Sequence, residues 1–390
     1  MNDTTLLGEV ASEELTDFDV QGITDKPMPN AVPGVVIGFV LWLRRFFIKL
    51  ADLVVPADAV LFERCTGIAQ TQIFGALARW EIADLLSKGP MNAKAIAEHV
   101  GANEDAVHRI LRAACTVGVF KMNGAGEFEN NRLSKALISG QATRAKEFAE
   151  YFASQSNSKS YLEIDHILKT GADGFEHTNG MDLWDWFDAH PEERETFAQM
   201  MMGVTFSEAP MVAKLYPFNE IKRLCDVGGG RGGLISELAI RYPHLECVLF
   251  DCEGVIESAK PLLEARNVSD RVETVVGNFY EKIVPGCDAY ILKNVMHDWD
   301  DGRCITILKK CHEAAKPGDR VLLVEIIVEP NDRANFGSLR DVHVLTVCTG
   351  GGYRKYKAPI CPSSEVSYPK PPHSFTAQAP IFTVGPTQIA

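Results

Sequence analysis

The sequence predicts an α/β protein with a doubly wound parallel sheet, preceded by a helical N-terminal region. Three observations support this prediction. Short apolar runs alternate with helical segments from residue 224 onward, which is typical of parallel sheets. Five glycines lie within residues 228–233, between an apolar run and a helical segment. Asp251 ends the next apolar run, at the sheet edge where open α/β sheets bind ligands.

The strands are predicted from run length and composition. The first run, at residues 224–227, is too short and too abruptly broken for a helix, as expected of a buried parallel strand. The predicted strands span residues 224–227, 247–250, 272–276, 289–292 and 321–328. Leu234, Ile235 and Leu238 recur at helical spacing after the glycines, so the loop leads into a helix N-terminus with free N–H groups.

Composition limits the function classes. With 390 residues, 46% of them hydrophobic and 23% charged, the chain has room for two domains and an ordinary globular core. The net charge of −13 argues against nucleic acid as a partner. Ten cysteines without a C-x-x-C pair predict reduced thiols and a cytoplasmic location, with no disulfide framework and no zinc site.

The first 60 residues are predicted to lie outside the main domains. Residues 1–34 are acidic, then rich in Pro and Gly, and predict a disordered segment without a signal peptide. Residues 35–60 predict an amphipathic helix with Arg44, Arg45 and Lys49 exposed. Its apolar run is too short for an integral membrane span. Membrane-surface binding is one alternative, but docking on a partner subunit is favoured, since such helices usually cover cores.

Residues 61–146 predict a helical domain. Helices over residues 93–99 and 104–116, followed by two short strands around Gly124 and Gly126, form a winged-helix pattern. Winged helices often bind DNA, but residues 61–140 contain nine Lys/Arg and eight Asp/Glu residues, so their charge is nearly balanced. A dimerisation module is therefore preferred over a DNA reader.

Residues 147–218 predict a helical linker on the substrate side of the sheet. It is rich in aromatic residues and methionines at helical spacing, which form core more often than a binding surface. A substrate surface for a flat apolar molecule is the alternative.

The glycine loop allows two ligands. Gly228, Gly230 and Gly233 satisfy G-x-G-x-x-G, and Asp251 lies at the spacing of a ribose-binding acid in a dinucleotide fold. Asp226 precedes the first glycine by two residues, as in the first motif of S-adenosylmethionine-dependent methyltransferases. An acid there suits a cationic amino-acid end and is unfavourable beside a pyrophosphate. An NAD-dependent dehydrogenase remains the alternative at this point.

Five segments together resemble one enzyme family: DVGGGRG, VLFDCEGVIESAK, GNFYE, LKNVMHDWDD and LLVEIIV. Over about residues 60–351 the chain resembles class I S-adenosylmethionine-dependent O-methyltransferases of the caffeic-acid/acetylserotonin/hydroxyneurosporene type. The resemblance implies a Rossmann-like methyltransferase sheet over residues 219–351 and a winged-helix dimerisation domain over residues 61–146. It also implies a homodimer and a small, aromatic, hydroxylated substrate.

The resemblance assigns the cofactor site residue by residue. The family residues that hold S-adenosyl-L-methionine correspond here to Asp226, Gly228 and Gly230 for the methionine end, Asp251 for the ribose, Asn278 and Phe279 for the adenine, and Lys293. The family usually has Asp where Asn278 stands. An Asn carbonyl can still accept a hydrogen bond from the adenine amino group.

The resemblance also assigns the chemistry. His297 matches the general base, Asp298 its substrate-side neighbour, and Glu325 the acid that orients the base. A phenol with a pKa near 10 needs help to ionise at neutral pH, and histidine is suited to that task. No metal is needed. The expected substrate wall consists of Met201, Val344, Val347 and Cys348.

The resemblance ends near Gly351. The family continues with an acid, a helix and two antiparallel strands, whereas Tyr353 stands at the acid position and residues 352–390 contain seven prolines. This Pro-rich tail predicts an exposed sheet edge beside Glu325, lower stability and weak methyl transfer. A cofactor-binding but catalytically impaired family member, or a winged-helix regulator, are therefore alternatives to a working enzyme.

Overall fold

The computed structural model describes residues 20, 23–29, 34–326, 336–348, 350 and 381–384. Most of the predicted disordered segment and most of the tail, including Tyr353, lie outside these residues. Within them, no helix is both long enough and apolar enough to cross a membrane. The nine cysteines in the described part of the chain are free thiols.

The N-terminal region is helical and ends in a two-stranded ribbon. Its helices are α1 (Gly34–Leu53), α2 (Ala57–Cys65), α3 (Gly67–Arg79), α4 (Ile82–Leu85), α5 (Ala93–Val100) and α6 (Glu104–Thr116), and its antiparallel strands are β1 (Lys121–Met122) and β2 (Phe128–Glu129). Asn92 and Asn103 cap α5 and α6 by accepting backbone N–H groups. This order is compatible with the winged-helix prediction. Ile96, Leu111 and Phe128 form the centre of its core.

The prediction of a single amphipathic helix over residues 35–60 is wrong, because the segment forms two helices, α1 and α2, with a break at Pro56. Pro56 stands at the N-cap of α2, where its missing N–H costs nothing. Arg44, Arg45 and Lys49 are exposed as predicted. Phe39 and Phe47 are also more than half exposed, so α1 has no buried apolar face within one described chain.

Six helices connect this region to the sheet: α7 (Ala145–Phe152), α8 (Gln155–Leu162), α9 (Ile164–Thr170), α10 (Gly174–Asn179), α11 (Leu183–Ala189) and α12 (Pro191–Leu215). Most of their aromatic residues and methionines pack into one cluster, which includes Phe175, Phe187 and Met200, whereas Met202 and Phe206 pack in a second cluster. The core interpretation of these side chains is thus confirmed for this group. Val347 from a later helix also packs in this cluster.

The central sheet has the order β5-β4-β3-β6-β7-β8. Its first five strands are parallel: β3 (Arg223–Val227), β4 (Glu246–Asp251), β5 (Val272–Val276), β6 (Ala289–Lys293) and β7 (Arg320–Val324). The crossover helices are α13 (Gly233–Arg241), α14 (Glu253–Ala265) and α15 (Asp301–Ala314), and α16 (Phe336–Val347) follows β7. Side chains alternate between two buried clusters, with Leu224 on one face and Cys225 on the other, so helices cover both faces.

Two strand predictions need correction. β7 is shorter than predicted, so that Glu325 lies just past its end and residues 327–328 lie outside the described part of the chain. The prediction that the edge of this strand is exposed is wrong, because β8 (Ile381–Val384) pairs antiparallel with β7. The register runs from Val321↔Val384 to Val324↔Ile381. Prolines flank this segment without interrupting it, so its backbone can form the ladder.

We expect truncation after Gly350 to lower the melting temperature and promote aggregation, because loss of β8 exposes the edge of β7. At about 1 kcal/mol per lost hydrogen bond, the decrease should amount to several degrees in thermal unfolding. Equal melting temperatures and equal solubility for the truncated and full chains would contradict the stabilising role of β8.

Candidate active site

Three loops converge at the carboxyl edge of the sheet, near the neighbouring strands β3 and β6. The strand order reverses between these two strands, which makes this the topological switch point of the sheet. They follow β3, β5 and β6. A Cβ atom placed on Gly228 would lie 3.0 Å from the Val295 side chain and 3.7 Å from the Phe279 ring. The sequence-predicted cofactor and catalytic segments therefore meet at one crevice.

Asp251 organises the glycine loop through its carboxylate. Its Oδ2 accepts the Gly230 N–H at 2.9 Å and its Oδ1 accepts the Cys252 N–H at 2.8 Å. Gly228 and Gly230 have φ angles of 68° and 58°, which favour glycine. Burial raises the pKa of Asp251, although these N–H groups oppose that shift. The acid at the end of β4 thus shapes the loop as well as facing the crevice.

Asp226 is the buried carboxylate at the base of the loop. Its Oδ2 is buried and forms no hydrogen bond within the part of the chain that the structure describes. Burial raises the pKa of Asp226 to about 7, while the positive charge of Lys293 opposes the shift. A buried acceptor oxygen without a partner is costly, so this position is suited to a cationic ligand.

Lys293 ends β6 and is held by α12. Its Nζ lies 2.9 Å from Glu208 Oε2 and 3.1 Å from Thr205 Oγ1. Arg340 of α16 lies 3.9 Å from the other oxygen of Glu208. Burial would raise the pKa of Glu208, but Lys293 and Arg340 hold it below its usual value. This ionic network joins the sheet edge to both helices that cover it.

Asn278 and Phe279 follow β5 on the opposite side of the loop. Asn278 is exposed, and its Oδ1 accepts the Tyr280 N–H at 2.9 Å. The Phe279 ring lies 6.1 Å from the Trp299 ring, centroid to centroid. Trp299 in turn stacks on Trp184 at 6.0 Å and so connects this side of the crevice to α11.

His297 is buried and bonded to Glu325. Its Nδ1 lies 2.7 Å from Glu325 Oε2, while Glu325 Oε1 accepts the N–H groups of Val295 and Met296 at 3.1 and 2.8 Å. An ionised Glu325 accepts only, so the shorter contact at Nδ1 favours the neutral tautomer with the proton on Nδ1 and the acceptor lone pair on Nε2. The histidine orientation and tautomer follow from one carboxylate.

Asp298 lies beside the other ring nitrogen, with its Oδ1 3.2 Å from His297 Nε2. Burial disfavours the charged imidazole, but the carboxylates of Asp298 and Glu325 outweigh burial and raise the pKa of His297. Burial raises the pKa of Asp298 to about 6, against the effect of His297. When His297 is protonated, a carboxyl group therefore lies beside each of its two ring nitrogens.

Helix α16 and Gly350 pack near the loop that carries His297. A Cβ atom on Gly350 would lie 2.4 Å from both the carbonyl oxygen of His297 and the carbonyl carbon of Asp298. Val344 and Val347 are buried, and Cys348 packs with both of their clusters. Met201 packs in the same cluster as Val347. The four predicted substrate-wall residues therefore belong to two clusters that share Cys348.

Sequence reasoning missed a second histidine near the site. His343 of α16 lies between two tyrosines, with Nδ1 3.0 Å from Tyr161 OH and Nε2 3.2 Å from Tyr151 OH. Burial lowers the pKa of His343 to about 3, so its ring is neutral at physiological pH. No motif singled out these residues, because their partners come from helices distant in the sequence. Glu208 and Arg340 were missed for the same reason.

The chain matches two family models. The model described as the O-methyltransferase domain matches residues 161–358, and the O-methyltransferase dimerisation domain matches residues 62–140. The chain belongs to the O-methyltransferase family. It is 34% identical to a mitomycin biosynthesis 6-O-methyltransferase of Streptomyces lavendulae, over 70% of this chain and 78% of the relative. It is 30% identical to a phenazine O-methyltransferase of Lysobacter antibioticus, over 75% and 86% of the two chains.

A solved structure of an O-methyltransferase from neocarzinostatin biosynthesis contains S-adenosylmethionine and 2-hydroxy-5-methyl naphthoic acid. It matches with a TM-score of 0.65 and 28% identity, covering 73% of this chain and 86% of that one. This O-methyltransferase accordingly uses S-adenosyl-L-methionine as its cofactor and carries a dimerisation domain. The dehydrogenase alternative is excluded by the family assignment.

We expect Gly350→Ala to reduce both stability and activity, because the added methyl group would displace the backbone of His297 and Asp298. Overpacking of this kind costs about 1–3 kcal/mol. Gly124→Ala is the matched control, since no atom lies within 4 Å of a Cβ placed there. Thermal unfolding and methyl-transfer rates measure the effect. If both substitutions behave like the parent, the segment at Gly350 does not position His297.

Proposed function

We propose that this O-methyltransferase methylates a hydroxyl group of a small aromatic metabolite, with His297 as the general base. The observation that carries the proposal is the 2.7 Å contact between His297 Nδ1 and Glu325 at the ligand edge of the sheet. The relatives' names support an aromatic acceptor, since they refer to mitomycin, phenazine and a hydroxynaphthoic acid.

The loop residues fit the cofactor. The unpartnered Oδ2 of Asp226 is suited to a cationic amino group, which would also favour the ionised carboxylate. Gly228 and Gly230 allow close backbone approach, and Asp251 would bind the ribose. Phe279 and Asn278 would flank the adenine. When bound, S-adenosylmethionine supplies an activated methyl group on its sulfonium.

Lys293 has a different proposed role from a direct cofactor contact. Its ammonium group is engaged by Glu208 and Thr205, and its charge acts on Asp226. We assign it to balancing the two buried carboxylates around the crevice. That role keeps Asp226 ionisable at neutral pH, since burial alone would favour its protonated form.

His297 would act through Nε2. Glu325 holds the Nδ1 proton, leaving the Nε2 lone pair to accept the proton of the acceptor hydroxyl. Asp298 then receives a hydrogen bond from the protonated Nε2, 3.2 Å away. Because both acids raise the pKa of His297, the ring is a stronger base than an isolated histidine. That reduces the mismatch with a phenol of pKa about 10.

The acceptor would lie between the sheet edge and the helical cover. Met201, Val344, Val347 and Cys348 provide apolar surface beside His297. An apolar site with few polar groups suits a flat aromatic molecule. The dimerisation domain supports a homodimer.

We expect His297→Ala to lower kcat by about 10²–10⁴-fold with little change in cofactor affinity, because a general base acts on the transition state. Methyl-transfer assays over phenolic acceptors and calorimetric titration with S-adenosylmethionine measure both quantities. His312→Ala, on the exposed face of α15, is the control and should behave like the parent. A kcat within a few-fold of the parent in His297→Ala would show that positioning alone drives transfer.

The pH dependence should report the raised pKa of His297. Below this pKa the ring is protonated and cannot accept a proton, so kcat should rise with pH and level off above the ordinary histidine range. Glu325→Gln removes a negative charge, so the rise should move to lower pH. The amide would also donate to Nδ1 and place the remaining proton on Nε2, lowering the plateau. An unchanged profile in Glu325→Gln would contradict the coupling.

A further inference from the structure

A short segment before α1 packs against the back of the glycine-loop helices. We call Val20 together with Ile23–Pro29 the N-terminal strap. It lies outside both matched family domains, which begin at residues 62 and 161. Val20 and Ile23 pack against a cluster containing Met202 of α12 and Leu262 of α14.

A buried ionic cluster binds the strap through its backbone. Glu237 of α13 is fully buried and pairs with Arg241 and with Arg266, which follows α14. Its two carboxylate oxygens accept the Met28 N–H at 3.0 and 3.1 Å. The guanidinium groups donate to three carbonyls of the strap: Arg266 to Thr24 and Lys26, both at 2.9 Å, and Arg241 to Met28 at 2.6 Å.

These contacts have the features of a peptide-binding groove. Backbone N–H and C=O groups supply four of the polar contacts, and apolar side chains occupy the flanks. Without the strap, the buried Glu237 carboxylate would lose an N–H donor and Arg266 would lose two acceptors. Partially satisfied buried charges are strongly destabilising. The groove is therefore built for an occupied state.

The groove adjoins the cofactor loop. Helix α13, which carries Glu237 and Arg241, begins at Gly233, directly after the loop. A Cβ atom on Gly233 would lie 3.0 Å from Thr205 and 3.5 Å from Phe206 of α12. Phe206 also packs in the cluster that receives Val20 and Ile23. The strap thus braces α12 and α13 on either side of the loop.

We propose that the surface formed by α12, α13 and α14 is a docking groove for the chain's own strap, and that occupancy of this groove fixes the loop that binds S-adenosylmethionine. Its partner is a short peptide with apolar residues near both ends and backbone N–H and C=O groups that bond to Glu237, Arg241 and Arg266. Cofactor affinity thereby depends on a segment that belongs to neither family domain.

The test replaces the N–H that Glu237 accepts. In the full chain, Met28→Pro removes this donor, whereas Met28→Leu retains both the donor and the apolar side chain. We expect Met28→Pro to raise the dissociation constant for S-adenosylmethionine about fivefold or more and to accelerate amide hydrogen exchange in α13. Met28→Leu should match the parent in both measurements. Neither readout depends on the acceptor or on His297.

Ile23→Asp provides an independent disruption, because it places a carboxylate among Met202, Leu262 and Phe206. Ile23→Leu is its control. We expect Ile23→Asp to reproduce the weaker cofactor binding and the faster exchange. The proposal is overturned if Met28→Pro and Ile23→Asp bind the cofactor like their leucine controls, or if exchange in α13 is unchanged. Faster exchange without any loss of cofactor affinity would also overturn the link to the loop.

Discussion

The active edge of this O-methyltransferase depends on the buried carboxylate of Glu325. One of its oxygens accepts two successive N–H groups from the loop after β6, and the other holds the histidine of that loop. The same side chain therefore fixes the backbone that carries His297 and favours the tautomer with its proton on Nδ1. Hydrogen bonds to an ionised group are stronger than those between neutral groups, and here they are sheltered from water. Gly350, which lies just past the end of α16, is packed closely against the backbone of His297 and Asp298.

The groups at the carboxyl edge of the sheet include several buried charges, which are unfavourable unless they are compensated. Asp226, Glu208, Asp298 and Glu325 lie around one crevice, where isolated carboxylates would be neutralised by burial. Lys293, Arg340 and His297 counter that tendency. The balance is unequal, since Glu208 has its pKa held low while Asp226 has its pKa raised to about 7. The carboxylate with the weakest compensation is also the one with an unpartnered oxygen, which fits a cationic cofactor group.

The parallel sheet was predictable because most of its strands are local apolar runs, and all five lie close to where the sequence places them, although β7 ends earlier than predicted. The roles of His297 and Glu325 came from the resemblance, and the structure brings them within 2.7 Å. Local sequence patterns did not predict contacts between segments that are distant in the sequence. Ile381–Val384 lies in a Pro-rich tail, and its pairing with β7 depends on an edge about sixty residues earlier in the sequence. The strap was missed because its polar contacts use its backbone, which leaves no pattern in side-chain composition.

The proton position on His297 tests the central claim most directly. Nitrogen NMR of the full chain with labelled histidine, assigned by the signals lost in His297→Ala, reports the ring tautomer and its titration. The expected result is a proton on Nδ1 in the neutral ring and a pKa above the ordinary value, because Glu325 and Asp298 both stabilise the charged form. A neutral ring protonated on Nε2, or a pKa below the ordinary value, would contradict the assignment of His297 as a base oriented by Glu325.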